Sequence, residues 1–177
     1  MKGIIIYKSK YGATKLYADW LSELVHLPKV ASDNFNTDSL PNYDFILLGS
    51  SVYIGKLLTR EWLKQNIKSL LGKKIFLFIV CGTPLHEKEK LEYIAKSNIP
   101  GEIRDNCEVF FLPGRLNKTA LSLSDRILLR MGASLTRDPN VKKNMTHDYN
   151  AVNKESLLPL LNATGRFTLA EGKKMPA

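Results

Sequence analysis

The sequence predicts an α/β domain, a buried parallel sheet with helices on both faces. Three observations carry that prediction. Four short apolar runs, at residues 3–7, 44–49, 74–80 and 108–112, are rich in Ile, Val, Leu and Phe and lack the polar alternation of a half-exposed strand. The stretches between them place apolar residues at helical spacing. The chain has 177 residues, enough to bury one sizeable core.

The elements follow in order. Residues 3–7 form the first strand. From Thr14 onward, Leu16, Tyr17, Trp20, Leu21, Leu24 and Val25 make one apolar helical face. A weaker strand lies near Val30. After the strand at 44–49, Thr59 is expected to cap a helix carrying Trp62, Leu63, Ile67 and Leu70. The strand at 74–80 leads to a helix over 86–97, which Asn98-Ile99-Pro100-Gly101 ends. The strand at 108–112 is followed by a last helix over 149–161, with Pro159 expected to kink it. Strands alternating with helices imply right-handed parallel crossovers. Five strands in this length suit the doubly wound order 2-1-3-4-5, whose ligand crevice lies at the carboxyl ends of the first and third strands. Residues 1–161 are read as one domain, and 162–177 as a C-terminal tail.

Composition narrows the function classes. A hydrophobic share of 44% and a charged share of 24% are ordinary for a globular chain. No apolar run approaches the ~20 residues of a membrane span. The first residues read as a strand rather than a secretory leader, so a cytoplasmic protein is expected. Cys81 and Cys107 lie far apart in no zinc or CxxC pattern and read as small buried hydrophobes. The formal charge is +9. Residues 115–145 hold seven basic side chains against two acidic ones, more than half of that excess. No helix-turn-helix, RRM or zinc pattern accompanies the charge, which argues against a nucleic-acid-binding module.

The candidate chemistry lies where strands end. The first strand runs into Lys8-Ser9-Lys10-Tyr11-Gly12-Ala13-Thr14 and then a helix. Such a turn presents unpaired backbone N–H groups and the positive end of the helix dipole, which suit an anionic phosphate. Gly12 allows close approach, and Ser9 and Thr14 offer hydroxyls. The spacing is neither GxxxxGK[ST] nor GxGxxG, and the loop by itself is equally an ordinary turn with a threonine cap.

Two further loops sharpen the reading. Ser9, Lys10, Tyr11, Gly12, Ala13 and Thr14 resemble the phosphate loop of the flavodoxins, where hydroxyl residues, a glycine and a final threonine surround the phosphate of FMN. Gly49-Ser50-Ser51-Val52-Tyr53-Ile54-Gly55-Lys56 resembles the family's second flavin loop, and Cys81-Gly82-Thr83-Pro84 its third. The resemblance implies a flavodoxin-like three-layer fold that binds FMN. It implies that Ser51, Val52, Tyr53, Ile54 and Gly55 meet the pyrimidine and N5 edges of the ring, with Tyr53 stacked on it. Cys81, Gly82 and Thr83 would close the other side. This chain has Val52-Tyr53-Ile54 where many electron-carrying flavodoxins have Thr-Trp-Gly. In the third loop it lacks the Asp and the stacking Tyr common in that group.

Beyond Pro113-Gly114 an insertion over 115–145 departs from short flavodoxins. Leu121, Leu123, Ile127, Leu128, Leu129, Met131 and Leu135 mix with Arg126 and Arg130, as in an amphipathic helix ended by Gly132-Ala133. In Gly114-Arg115-Leu116, Ser124-Asp125-Arg126, Met131-Gly132, Thr136-Arg137 and His147-Asp148-Tyr149 with Val152, the chain is similar to the flavodoxin-like, menaquinone-dependent protoporphyrinogen dehydrogenases. That resemblance implies an FMN-dependent oxidoreductase with a porphyrin-like donor and a quinone acceptor, and contact with an anionic membrane surface. The alternative is a flavodoxin-type electron carrier between protein partners. Such carriers are usually acidic, whereas this chain has a pI near 9.5. No side chain is nominated as acid or base, because the flavin would carry the chemistry. Lys8, Lys10, Lys15 and Lys56 flank the first two loops and are expected to favour a reduced, anionic flavin.

Overall fold

The structure is a computed structural model that describes residues 1–135, 142 and 146–172. Five strands, β1 (Gly3–Lys8), β2 (Lys29–Ala31), β3 (Phe45–Tyr53), β5 (Lys74–Cys81) and β6 (Cys107–Pro113), pair in the order β2-β1-β3-β5-β6. All these pairings are parallel, with Ile5 beside Leu47 and Leu47 beside Phe76 in register. In sequence rank this is the predicted 2-1-3-4-5. A two-residue strand β4 (Lys56–Leu57) folds back on the end of β3.

The apolar runs are continuous because both sheet faces are covered. Ile4, Ile6, Ile46, Leu48, Ile75, Leu77 and Ile79 point to one side. There they pack against Leu63 of α2 (Arg60–Gln65), Leu70 of α3 (Ile67–Leu70) and Ile94 of α4 (Lys88–Asn98). Ile5, Leu47, Phe76, Phe78 and Val80 point to the other. Their partners are Tyr17, Ala18 and Leu21 of α1 (Ala13–Val25) and, from the chain's last segment, Leu157, Leu160 and Ala163. Gly49 makes room in this layer, since a Cβ there would lie 2.2 Å from the Phe78 ring.

Several expected details differ. Thr59 precedes α2 without a side-chain cap; its Oγ1 is buried without a partner, while its N–H donates to Ser50 Oγ at 3.2 Å. The last helix does not begin at 149. Residues Tyr149–Asn150 form β8, antiparallel to β7 (Arg115–Leu116). A 3-10 turn at Lys154–Leu157 then leads into α6 (Leu158–Gly172). Pro159 is therefore the second residue of that helix, where no intrahelical N–H is needed and no kink arises. The helix continues through 162–172, the segment expected as a tail, because Phe167 packs edge-on against Phe45 and Phe76 at 5.8 and 5.7 Å. The insertion helix α5 (Leu123–Leu135) runs through Gly132-Ala133 instead of ending there, since Ala133 is buried and packing holds the turn. Thr136, Arg137, Asp138 and Lys143 of the expected insertion, and residues 173–177 of the expected tail, lie outside the described residues.

Candidate functional site

A cavity of about 450 Å³ opens at the carboxyl ends of β3 and β5, beside the loop that leaves β1. Each of the three expected loops contributes to its wall. Lys10, Tyr11 and Ala13 come from the first, Ser51, Val52, Tyr53, Ile54 and Gly55 from the second, and Cys81, Gly82 and Thr83 from the third. Ser9, Gly12 and Thr14 of the first loop do not line it.

Gly12 is the N-cap of α1 at φ +82°, a left-handed conformation that favours glycine. Its N–H donates to Ser9 Oγ at 3.1 Å, and no side chain caps the helix. The start of α1 is thus free to receive an anion. Thr14 is fully buried, with its Oγ1 3.0 Å from Ser51 Oγ, so it ties the first loop to the second.

The second loop is a tight hairpin. Tyr53 pairs with Lys56 around Ile54-Gly55, at φ +49° and +69°, as a two-residue turn with both central residues left-handed requires. Ile54 pays steric strain there and exposes 63% of its surface beside the cavity. Asn98, at the end of α4, accepts from Leu57 N–H at 3.0 Å and donates to Gly55 O at 2.9 Å, fixing the hairpin from behind. In the third loop, burial pushes the Cys81 thiol up to about 11, so it packs rather than reacts. A Cβ on Gly82 would lie 2.5 Å from the Tyr149 hydroxyl, which places that half-buried phenol directly against this loop.

The remaining wall comes from the insertion. Leu121, and Leu128, Leu129 and Gly132 of α5, lie across the cavity from the sheet, with Arg115 and Leu116 beside them. Asp125 joins this helix to both earlier loops. Its carboxylate is 4% exposed and lies 2.8 Å from Lys10 Nζ, and it accepts hydrogen bonds from the Tyr11 and Tyr53 hydroxyls. Burial pushes its pKa up, but those three donors and the Lys10 charge outweigh burial and hold it at about 2. Lys10 Nζ also sits 3.6 Å above the centre of the Tyr53 ring.

Sequence reasoning did not single out Asp125, Arg115, Tyr149 or Asn98 as site residues. Asp125 and Tyr149 lay inside the insertion resemblance, but nothing local says that a helix some 70 residues from Tyr53 returns to it. The expected lysine field is also weaker. Lys8 pairs with Asp33 at 2.7 Å, Lys15 with Asp19 at 2.8 Å and Lys10 with Asp125, which leaves Lys56 of the four without a carboxylate among the described residues.

A family model described as the flavodoxin domain matches residues 4–143. No curated protein matches the chain. Among solved structures, the chain is similar to a two-electron reduced flavodoxin of Megasphaera elsdenii, at 22% identity and TM-score 0.44, over 59% of this chain and 89% of that one. A flavodoxin from the domain Archaea matches at 17% identity and TM-score 0.45, over 83% and 100%. A flavoprotein of Lactobacillus acidophilus in complex with FMN matches at 19% identity and TM-score 0.41, over 63% and 91%.

Proposed function

The chain belongs to the flavodoxin-domain family and takes FMN as its cofactor; from that premise we propose that it is an FMN-dependent oxidoreductase, oxidising a reduced porphyrin of the protoporphyrinogen type with a quinone as acceptor. Bound FMN supplies the exchange of electrons between organic donor and acceptor. The chain's own residues hold and enclose it. In this reading the loop of Ser9, Lys10, Tyr11, Gly12, Ala13 and Thr14 holds the phosphate at the uncapped start of α1. Ser51, Val52, Tyr53, Ile54 and Gly55 meet one edge of the ring, and Cys81, Gly82 and Thr83 the other.

One observation carries the proposal beyond cofactor binding. Helix α5 lays Leu128, Leu129 and Gly132 over the cavity, and Asp125 ties it to the first and second loops. An electron carrier needs only an accessible flavin edge. An apolar wall excludes water and adds surface on which a flat organic molecule packs. The outer face of α5 supports a membrane source for the quinone. Leu123, Ile127, Met131 and Leu135 recur every four residues and are exposed, with Arg126 and Arg130 exposed beside them.

Anaerobic turnover tests the proposal. Mixing the FMN-loaded protein with protoporphyrinogen is expected to bleach the flavin absorbance, and a menaquinone analogue to restore it over repeated cycles. A flavin that ignores the porphyrinogen but accepts electrons from a protein donor favours the second reading, a carrier between protein partners, which the family membership itself supports.

A further inference from the structure

We propose that Arg115 is the side chain that recognises the FMN phosphate, making this site selective for the phosphorylated flavin. The inference rests on the reading that residues 9–14 hold that phosphate. A phosphate monoester carries between one and two negative charges near neutral pH, and a dedicated cation beside it adds charge-assisted hydrogen bonds. The lysines of this loop are committed elsewhere. Lys8 is bound to Asp33, Lys10 to Asp125 and Lys15 to Asp19.

Arg115 comes to the loop from the other end of the site. Its Nη2 donates to Tyr11 O at 3.2 Å and would lie 2.9 Å from a Cβ on Gly12. Its guanidinium has no carboxylate partner among the described residues. One of its five N–H donors is used on Tyr11 O, and the others are available for a planar, bidentate contact with phosphate oxygens.

The backbone that delivers it is held on several sides. Tyr17 OH donates to Pro113 O at 2.9 Å, Gly114 N–H to Cys81 O at 2.9 Å, and Ala151 N–H to Gly114 O at 3.1 Å. Arg115 itself pairs with Asn150 in the β7–β8 ribbon. A side chain on Gly114 would press on Cys81 O at 3.0 Å, so the chain passes close to the third loop before the arginine reaches the first. The insertion therefore begins with a residue fixed at the cofactor loop and not with a freely solvated charge.

Apoprotein titrated with FMN and with riboflavin, which lacks the phosphate, tests the assignment. The wild-type protein is expected to prefer FMN. In Arg115→Gln, which keeps an amide donor but no charge, FMN affinity is expected to fall about tenfold to a hundredfold with riboflavin affinity unchanged. Arg115→Lys is expected to recover part of the loss, and raising the salt to narrow the gap between wild type and Arg115→Gln. Unchanged FMN affinity in Arg115→Gln overturns the proposal. So does an equal loss for both flavins, which would make Arg115 a prop for the Tyr11 carbonyl. A wild-type protein that binds both flavins equally well overturns it at an earlier step, by removing the phosphate from this loop altogether.

Discussion

Burying a carboxylate costs several kcal/mol unless its oxygens are paired, and Asp125 escapes that cost only because Lys10, Tyr11 and Tyr53 converge on it. The consequence is a signed pH dependence. Its folded-state pKa of about 2 lies below the ordinary value of 3.8, so the stabilisation is complete above that ordinary value and drains away as pH falls toward 2. The displacement corresponds to on the order of 2 kcal/mol. Acid unfolding followed by near-UV circular dichroism is expected to show this loss in the wild type, and a flatter profile between pH 4 and 2 in Asp125→Asn, at roughly these pH values. An unaltered profile would mean that Asp125 titrates alike in the folded and unfolded chain and that its contacts to Lys10, Tyr11 and Tyr53 add nothing to stability. Ile54 offers a test of opposite sign. A β-branched residue at φ +49° pays about 1 kcal/mol of strain that Asn largely avoids. Ile54→Asn is therefore expected to raise the melting temperature by a few degrees. A lower melting temperature would show that the exposed isoleucine makes contacts worth more than its strain.

Elements differ in how plainly their sequences announce them. Three of the four main strands, β1, β3 and β5, are legible because they are buried on both faces, so burial writes itself as an unbroken apolar run; β6, at the sheet edge, is covered on both faces but only half-buried. The failures share a cause, which is that a local rule met a tertiary contact. Gly132-Ala133 looked like a helix end, but packing keeps those residues helical. Pro159 reads as a kink only for a helix that starts at 149; the helix begins at Leu158, so the proline falls in its first turn. Thr59 looked like a cap, yet its hydroxyl is turned into the interior. Helix α5 is the least legible element. Its leucines were visible, but not that Leu128 and Leu129 would face the cavity while Leu123, Ile127 and Leu135 face outward. Both sets satisfy helical spacing, and the buried Asp125 and Ala133 of the same helix select between them. The three loops that wall the cavity are legible from residue type and position; Asn98 and Tyr149, which meet those loops from other elements, are not. Replacing residues 116–144 by a short turn, with Arg115 kept, is expected to leave FMN bound while turnover of an organic donor is lost. An aggregated or FMN-free product would make α5 part of the core, and a fully active one would remove it from function.

At the scale of the whole molecule, charge and shape act together. No helix among the described residues is long and apolar enough to cross a membrane. Under the proposed function, the exposed stripe on α5 and the formal charge of +9 are expected to favour shallow adsorption. The protein is expected to sediment with vesicles that contain anionic lipid and not with neutral ones, and to lose that binding in Ile127→Glu combined with Met131→Glu. Binding that survives the double change would place the contact elsewhere.

The same charge bears on the flavin. Ion pairs cancel much of the positive field around the first loop, but Arg115 and Lys56 remain without carboxylate partners among the described residues. At an effective dielectric of ~20, one cation within several ångströms favours an added negative charge by on the order of 1–2 kcal/mol before salt screening. For a one-electron step, a tenfold change in equilibrium is ~59 mV. The most direct test of the proposed electron transfer to a quinone is an anaerobic redox titration of the FMN-loaded protein at low and high salt. A midpoint potential tens of millivolts or more above that of acidic flavodoxins is expected, falling as salt screens the cations; a very low potential that salt does not move would rule this out and restore the electron carrier.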